Sequence, residues 1–290
     1  MKPPPFKYYA PTTLDEALAL MAEHDDEAKA LAGGQSLIPT MNFRLAQPGV
    51  LVDLNNIPEL SFIRPTNGGI TIGAMTRQRQ VERSAMVAEH APLVTETMPY
   101  IAHPQIRNRG TFGGSIAHAD PAAELPALAV ALDAQLRVRS HTGERWLPAN
   151  EFFVDLFTTA LATDELLVEV SLPPMPPRTG YAFAEVSRRR GDYALVGAAA
   201  TVTLDNNNRC ERIRLVYFSV GNGPVEAYQA AGLLQGQKLS AEAIRAAAEI
   251  AATQDIDPPG DIHASAAFRR HLAKVLAQRV LTKAAGRVQS

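Results

Sequence analysis

The stretch Arg107–Pro126, "RNRGTFGGSIAHADPAAELP", holds a glycine pair, Gly113-Gly114, between hydroxylic residues. A second pair, Gly33-Gly34, stands eighty positions upstream (33 against 113) in "ALAGGQSL" (30–37). A diphosphate is held by several backbone N–H groups converging at short range. Side chains obstruct that approach, whereas glycine removes the Cβ and permits the positive φ of an anion-binding nest. Ser36 and Thr111 add hydroxyl donors beside each pair. From the residues alone, the pairs are either two ordinary turns or two halves of one anion cradle, and spacing leaves both open. Neither is a dinucleotide fingerprint, because G-x-G-x-x-G is absent at both places, and no Gly-Lys-Ser/Thr of a P-loop occurs.

The surrounding chain is that of a globular protein able to bury a large core. Its 290 residues are 46% hydrophobic and 20% charged, long enough for two or three compact units. A net charge of −2 gives no electrostatic case for nucleic acid or an anionic membrane. Cys210 is the only cysteine, which excludes an internal disulfide and cysteine-ligated zinc or iron–sulfur sites on this chain. The opening "MKPPPFKYYAP" lacks the apolar core of a signal peptide, and no run reaches transmembrane length; a cytoplasmic location is the expectation. No His/Asp/Glu spacing suggests a metal, and no G-x-S-x-G or similar motif supports nucleophilic catalysis.

Periodicity predicts an α+β chain. Thr13-x-x-Glu16 resembles a capping box ahead of Leu14, Ala17, Leu18 and Met21 at helical spacing. Residues 28–32 and 50–54 read as strands, the first running directly into Gly33-Gly34. Residues 60–74 read as a hairpin turning at Asn67-Gly68, where positive φ is needed. Helices are expected over 76–90 and roughly 122–133, strand–turn–strand over 134–148, and a strand over 165–173. The proline cluster "PPMPPRTG" (173–180) marks a linker. Beyond it come three strands, "YAFAEVSRR", "ALVGAAATVTL" and "RIRLVYFSVG", then helices near 224–234, 240–254 and 264–286.

"ALAGGQSL" and "IRNRGTFGGSIAHADPAAELP" together resemble the flavin-binding subunit of the molybdenum hydroxylase family, which includes xanthine dehydrogenase and carbon monoxide dehydrogenase. "VGNGPVEAYQAAGLLQGQKLS" (220–240) and "DIHASAAFRRHLAKVLAQRVL" (261–281) resemble that family's C-terminal flavoprotein domain, so the likeness runs along nearly the whole chain. It implies a two-subdomain FAD-binding domain of the PCMH type over 1–175, dividing near 56/57. A C-terminal domain over 178–287 would follow, a three-stranded antiparallel sheet with a helix bundle.

The resemblance also implies the site. Ala30, Leu31, Ala32, Gly33, Gly34, Gln35, Ser36 and Leu37, with Thr111, Phe112, Gly113, Gly114 and Ser115, would wrap the FAD diphosphate and ribityl chain. Ile101 and Leu167 match apolar positions near the flavin, and Tyr193 an aromatic position that shields the ring. Glu124 matches an acid expected to hydrogen-bond FAD hydroxyls, with Asp120 a second candidate; both also suit a helix start, where carboxylates are favoured by the dipole. The family often carries Lys or another polar residue in the strand where this chain has Ala184 and Glu185, which argues against a cationic contact there.

No catalytic residue toward an organic substrate is expected on this chain. The molybdenum cofactor and two [2Fe-2S] clusters belong on partners, a large molybdopterin-binding subunit and a small iron–sulfur subunit, commonly doubled as an (αβγ)2 heterohexamer. Two other readings stay open at this point: a self-contained flavin oxidoreductase, and a cofactor-free scaffold of the same fold.

Overall fold

The computed structural model describes residues 2–288. Strands β1 (Lys7–Tyr9), β2 (Ala28–Leu31) and β3 (Val50–Asp53) make a parallel sheet in the order β1-β3-β2. Parallel strands need a crossover, and α1 (Leu14–His24) supplies the one between β1 and β2. The Thr13 hydroxyl accepts the Glu16 N–H, while the Glu16 carboxylate accepts the N–H of Thr12 at 2.9 Å. The cap therefore forms as expected, with its return bond one residue further out. Leu14, Ala17, Leu18 and Met21 bury the apolar stripe against Val50 and Val52. Beyond the first glycine pair comes the short helix α2 (Leu37–Asn42).

The next unit is built on a five-stranded antiparallel sheet. Its order is β4 (Ile63–Pro65), β5 (Ile70–Gly73), β10 (Leu166–Leu172), β6 (Gln135–Arg139), β7 (Glu144–Pro148). The β4–β5 hairpin turns where expected, but only Gly68 takes positive φ, at 84°. The helix expected over 76–90 is two helices, α3 (Gln78–Arg83) and α4 (Ala85–His90). Ser84 ends the first and its hydroxyl accepts the Val87 N–H to start the second, a side-chain bond that competes with helix continuation. The helices α5 (Pro92–Thr97) and α6 (Pro104–Arg107), each opened by a proline, went unread in sequence. So did α7 (Phe112–His118), which contains the second glycine pair within its first turns. The helix expected over 122–133 is α8 (Glu124–Ala131), and α9 (Ala149–Phe152) with the two-stranded β8 (Phe153–Asp155) and β9 (Thr158–Thr159) completes the unit.

The C-terminal sheet runs β11 (Thr179–Ser187), β12 (Ala194–Leu204), β13 (Cys210–Phe218), β14 (Val225–Glu226), all antiparallel. It has four strands rather than three, because 225–226 pair with Val216 and Tyr217 before the helix expected from 224 begins at Tyr228. Helices α10 (Tyr228–Leu234), α11 (Ala241–Ile250) and α12 (Ala266–Val288) follow, with α11 running into a π-helical turn at Ala251–Asp255.

One face of this sheet packs on the three helices. The other face adds Phe183, Ala199, Val216 and Phe218 to the core of the central unit. Helix α8 is caught between the two units, and all eight of its residues are buried. Among the described residues no helix is long and apolar enough to cross a membrane.

Close approach fixes Gly197 on β12. A Cβ there would stand 1.9 Å from Cζ of Phe218, which is itself fully buried. Gly197→Ala is expected to destabilise the chain by about 1–3 kcal/mol through overpacking. A urea midpoint shifted down at constant slope would register it, and an unchanged midpoint would mean the Phe218 ring can move aside.

Candidate functional site

The two glycine pairs meet in space. A Cβ on Gly33 would lie 2.5 Å from the Arg109 carbonyl oxygen and 2.7 Å from Gly110 Cα, so the first loop rests directly on the backbone leading into the second. A Cβ on Gly114 would lie 3.0 Å from the Ala32 Cβ, and one on Gly113 would lie 2.4 Å from that of Ala74. Only glycine lets three backbone segments approach this closely. The alternative of two unrelated turns is thereby removed.

Each loop takes its shape from local bonds. Residues 30–31 end β2, 32–36 form the loop, and Leu37 opens α2. Gly34 takes φ of 70°, and the Gln35 side chain donates to the Gly33 carbonyl at 3.0 Å. On the second segment, the Thr111 hydroxyl accepts the Gly114 N–H at 3.1 Å and caps α7. Phe112 and Gly113 donate to the carbonyls of Thr76 and Ala74. The cap uses one lone pair of the Thr111 hydroxyl and leaves its O–H free to donate. Ser36 and Ser115 make no side-chain hydrogen bond among the described residues, so their hydroxyls stay available.

Among the described residues, the N–H groups of Gly33, Gly34, Gln35 and Ser36 find no acceptor within the chain. These residues are only partly buried, and the N–H groups of Gln35 and Ser36 precede the first helical bond, Ile38 N–H to the Gly34 carbonyl, as donors at a helix start do. An oxyanion with several lone pairs satisfies them together. The donor set, the glycine-only contacts and the two free hydroxyls fit a phosphate-bearing cofactor.

A polar brace outside the cradle holds the loops together, and sequence reading missed it. The Asn55 amide donates to the Ala32 carbonyl at 2.9 Å, and its oxygen accepts from Arg77 Nη2 at 2.6 Å. Arg77 Nη1 in turn donates to the Arg109 carbonyl, so one side-chain pair grips both segments. Asp53 orients Asn55 through the Asn55 N–H at 2.9 Å and is itself fixed by the Tyr8 hydroxyl at 2.6 Å. Burial holds the Arg77 guanidinium below its ordinary range, with the positive charge of Arg109 adding to the effect. None of these residues forms a motif, and only the fold brings 8, 53, 55, 77 and 109 together.

Beyond α7 the chain turns into an acidic corner. The Asp120 carboxylate accepts the Ala122 N–H at 2.9 Å, a turn bond that uses one of its oxygens before the helix begins. Glu124 is the first residue of α8 and only 7% exposed; burial, with Asp120 adding, pushes its carboxyl up to about 7. Tyr193 keeps 64% of its surface exposed, yet its hydroxyl stands beside Asp120. Desolvation of the phenol oxygen, then that negative charge, pushes the phenol up to about 12.

His118 packs on the Phe157 ring at 5.2 Å and is held toward its neutral form by burial. Ile101 and Leu167 are 6% and 5% exposed and belong to the central core. Arg107 is also buried, bound to Glu82 and to the carbonyls of Ile101 and Ala102. The described residues contain no cluster of three or more potential metal ligands. Two surface hollows of about 210 and 460 Å³ lie elsewhere and share no wall with the glycine loops.

Residues 4–175 match the family model for the FAD binding domain in molybdopterin dehydrogenase, and residues 181–284 that for the CO dehydrogenase flavoprotein C-terminal domain. The chain is 44% identical over 289 residues to 6-hydroxypseudooxynicotine dehydrogenase complex subunit alpha of Paenarthrobacter nicotinovorans, covering 100% of this chain and 97% of that protein. It is 37% identical to the carbon monoxide dehydrogenase medium chain of Hydrogenophaga pseudoflava, covering 98% of each. Among solved structures, it superposes with a TM-score of 0.94 on a chain of quinoline 2-oxidoreductase from Pseudomonas putida 86, at 38% identity and 100% of both chains.

The brace carries its own test. Asn55→Ala removes the grip on Ala32 and deprives Arg77 of its partner. It should raise the FAD dissociation constant roughly three- to tenfold, the worth of one or two hydrogen bonds. An unaltered constant would mean that backbone packing alone holds the loops in register.

Proposed function

The chain belongs to the family of FAD-binding flavoprotein subunits of multi-subunit molybdenum hydroxylases, and on that footing we propose which residues hold the cofactor and with what partners it works. The Gly33–Ser36 N–H groups take the diphosphate, and Ser36 and Ser115 reach its oxygens or the ribityl chain. Glu124, with Asp120, meets the cofactor hydroxyls; Tyr193 covers the ring from the exposed side, and Ile101 and Leu167 support it from the core. The observation that carries this reading is the set of four unpaired backbone donors at the glycine crossing. Residues 1–175 act as the cofactor-binding unit, in subdomains meeting near 56, and 178–287 as the C-terminal unit.

Bound FAD supplies redox chemistry able to accept single electrons and pass on two. The protein's part is to bind, orient and desolvate. Its groups supply no general acid or base to an organic substrate. With a single buried cysteine the chain cannot itself ligate an iron–sulfur cluster. We place the two [2Fe-2S] clusters on a small partner subunit and the molybdenum cofactor on a large one, in an (αβγ)2 assembly.

The relatives' own names support a division of labour. Their named substrates range from a pyridine alkaloid derivative to quinoline and carbon monoxide, while this subunit keeps 37% to 44% identity along its whole length. Substrate choice therefore belongs on the molybdenum-bearing partner. Turnover of an organic substrate by the isolated chain would overturn this reading in favour of a self-contained oxidoreductase.

Gly33→Val or Gly114→Val is expected to abolish flavin retention while the C-terminal unit stays folded. Stoichiometric FAD on either purified variant, read from its visible absorbance, would show that the cradle lies elsewhere. Glu124→Ala should weaken FAD binding by about 1–3 kcal/mol, the cost of a lost charge-assisted hydrogen bond. A titration giving the wild-type constant would remove Glu124 from the site.

A further inference from the structure

The loop that joins β11 to β12, residues 188–193, ends on Tyr193. Ser187 pairs with Ala194 to close it, whereas one step back Val186 pairs with Val196. Leu195 is therefore an extra residue on β12, a β-bulge opposite no residue of β11. A bulge bends the strand end and re-aims the side chains beside it. The loop it launches reaches the central unit. Gly191 takes φ of 88°, and a Cβ on it would lie 2.5 Å from the His103 Cε1 and 3.0 Å from the Ala102 carbonyl oxygen. Two residues on, the Tyr193 hydroxyl stands beside Asp120.

An arginine from the last helix holds the bulge. Arg269, in the first turn of α12, is only 7% exposed. Its Nη1 donates to the carbonyl of the bulged Leu195 and, at 3.2 Å, to that of Ser219. Its Nη2 donates to the Asp261 carboxylate at 2.6 Å. Asp261 is itself fixed, its other oxygen accepting the N–H groups of His263 at 2.8 Å and Ala264 at 2.9 Å. The same turn reaches the opposite end of the loop, where Arg188 Nη1 donates to His263 Nδ1 at 3.0 Å. Ser219 in turn donates its N–H to the Pro121 carbonyl at 2.8 Å, one residue from Asp120. Residues 261–269 grip both ends of the Tyr193 loop and, through Ser219, the turn that carries Asp120.

The grips differ in strength. The Arg188–His263 bond is exposed to water and contributes little. The Arg269 bonds are charge-assisted and largely dry, and the planar guanidinium reaches two carbonyls and a carboxylate at once. A buried ion pair is often no more stabilising than apolar side chains of like volume, so its contribution here is to geometry.

We propose that Arg269, held by Asp261, is the positioning residue that sets Tyr193 over the flavin ring, by fixing the Leu195 bulge and the Ser219 turn to one another. The proposal rests on FAD occupying the glycine cradle with Tyr193 over its ring, and adds a residue that acts only through the loop. Without the guanidinium, the Leu195 and Ser219 carbonyls lose their common donor. The bulge relaxes and Tyr193 leaves the ring, while the cradle still holds the diphosphate.

The experiment measures flavin fluorescence from the FAD-loaded full chain. A phenol packed on the isoalloxazine quenches its emission, so Tyr193→Leu should brighten it several-fold. Arg269→Lys keeps the charge but not the fork, and should brighten it in the same direction with FAD still bound at the wild-type stoichiometry. In the double variant the two effects should not add, because both act through one ring. Asp261→Asn, at a partly exposed side chain, should reproduce part of the rise, and it carries the test alone if Arg269→Lys fails to fold. Unchanged emission in folded Arg269→Lys, or in Asp261→Asn where that stands alone, would overturn the positioning role. So would an Arg269→Lys effect that persists in full in the Tyr193→Leu chain. Those results would leave the flavin site as proposed. No brightening in Tyr193→Leu would instead remove Tyr193 from the ring and the positioning role with it, and a wild-type chain that takes up no FAD would sink the cradle as well.

Discussion

Backbone pressed against backbone at Gly33 and Arg109–Gly110 is the constraint from which the site follows. No side chain longer than hydrogen fits there, and the approach leaves a run of N–H groups pointing away from the chain's own acceptors. Such donors are open to an outside acceptor that can take several of them at once. In the proposed reading a diphosphate is that acceptor, and it demands no cationic side chain. This is why an acidic chain with no recognised nucleotide motif can still hold a charged cofactor. The Asn55–Arg77 brace belongs to the same constraint from behind, tying the carbonyls of Ala32 and Arg109 that flank the crossing.

The C-terminal unit carries no part of the glycine crossing, but it shapes the far end of the site. Its sheet covers α8 with Phe183, Val216 and Phe218, and a helix covered on all sides has nowhere to place its first carboxylate except inside. The Ser219 N–H, bonded to the Pro121 carbonyl at 2.8 Å, ties the end of β13 to the same turn. Burial then does what a nearby positive charge would oppose, and it keeps the Glu124 carboxyl protonated at much higher pH than usual. The central unit and the C-terminal unit thus share a packed and hydrogen-bonded interface rather than being merely joined by a proline-rich linker.

Local patterns made much of this legible in advance. Helical spacing after Thr13, the β-branched runs at 50–54 and 194–204, and Gly68 at its turn read correctly because neighbours in sequence decide them. The breaks read poorly. Ser84 splits an otherwise plausible helix with one hydroxyl, and the glycines of α7 look like a loop although Thr111 caps them into a helix. In both cases a side-chain bond worth about 1 kcal/mol outweighed the propensity of the run.

The amino-acid order by itself determined the fold class, the two glycine pairs and, through the single cysteine, that this chain cannot itself ligate an iron–sulfur cluster through cysteines. That the two glycine segments lie against each other was decided only by tertiary structure, because Gly33 rests on Arg109–Gly110 and Gly114 on Ala32 across separate parts of the chain. The same holds for Asn55 with Arg77. Those residues are ordinary polar ones in sequence, and their partnership exists only once distant segments are brought together.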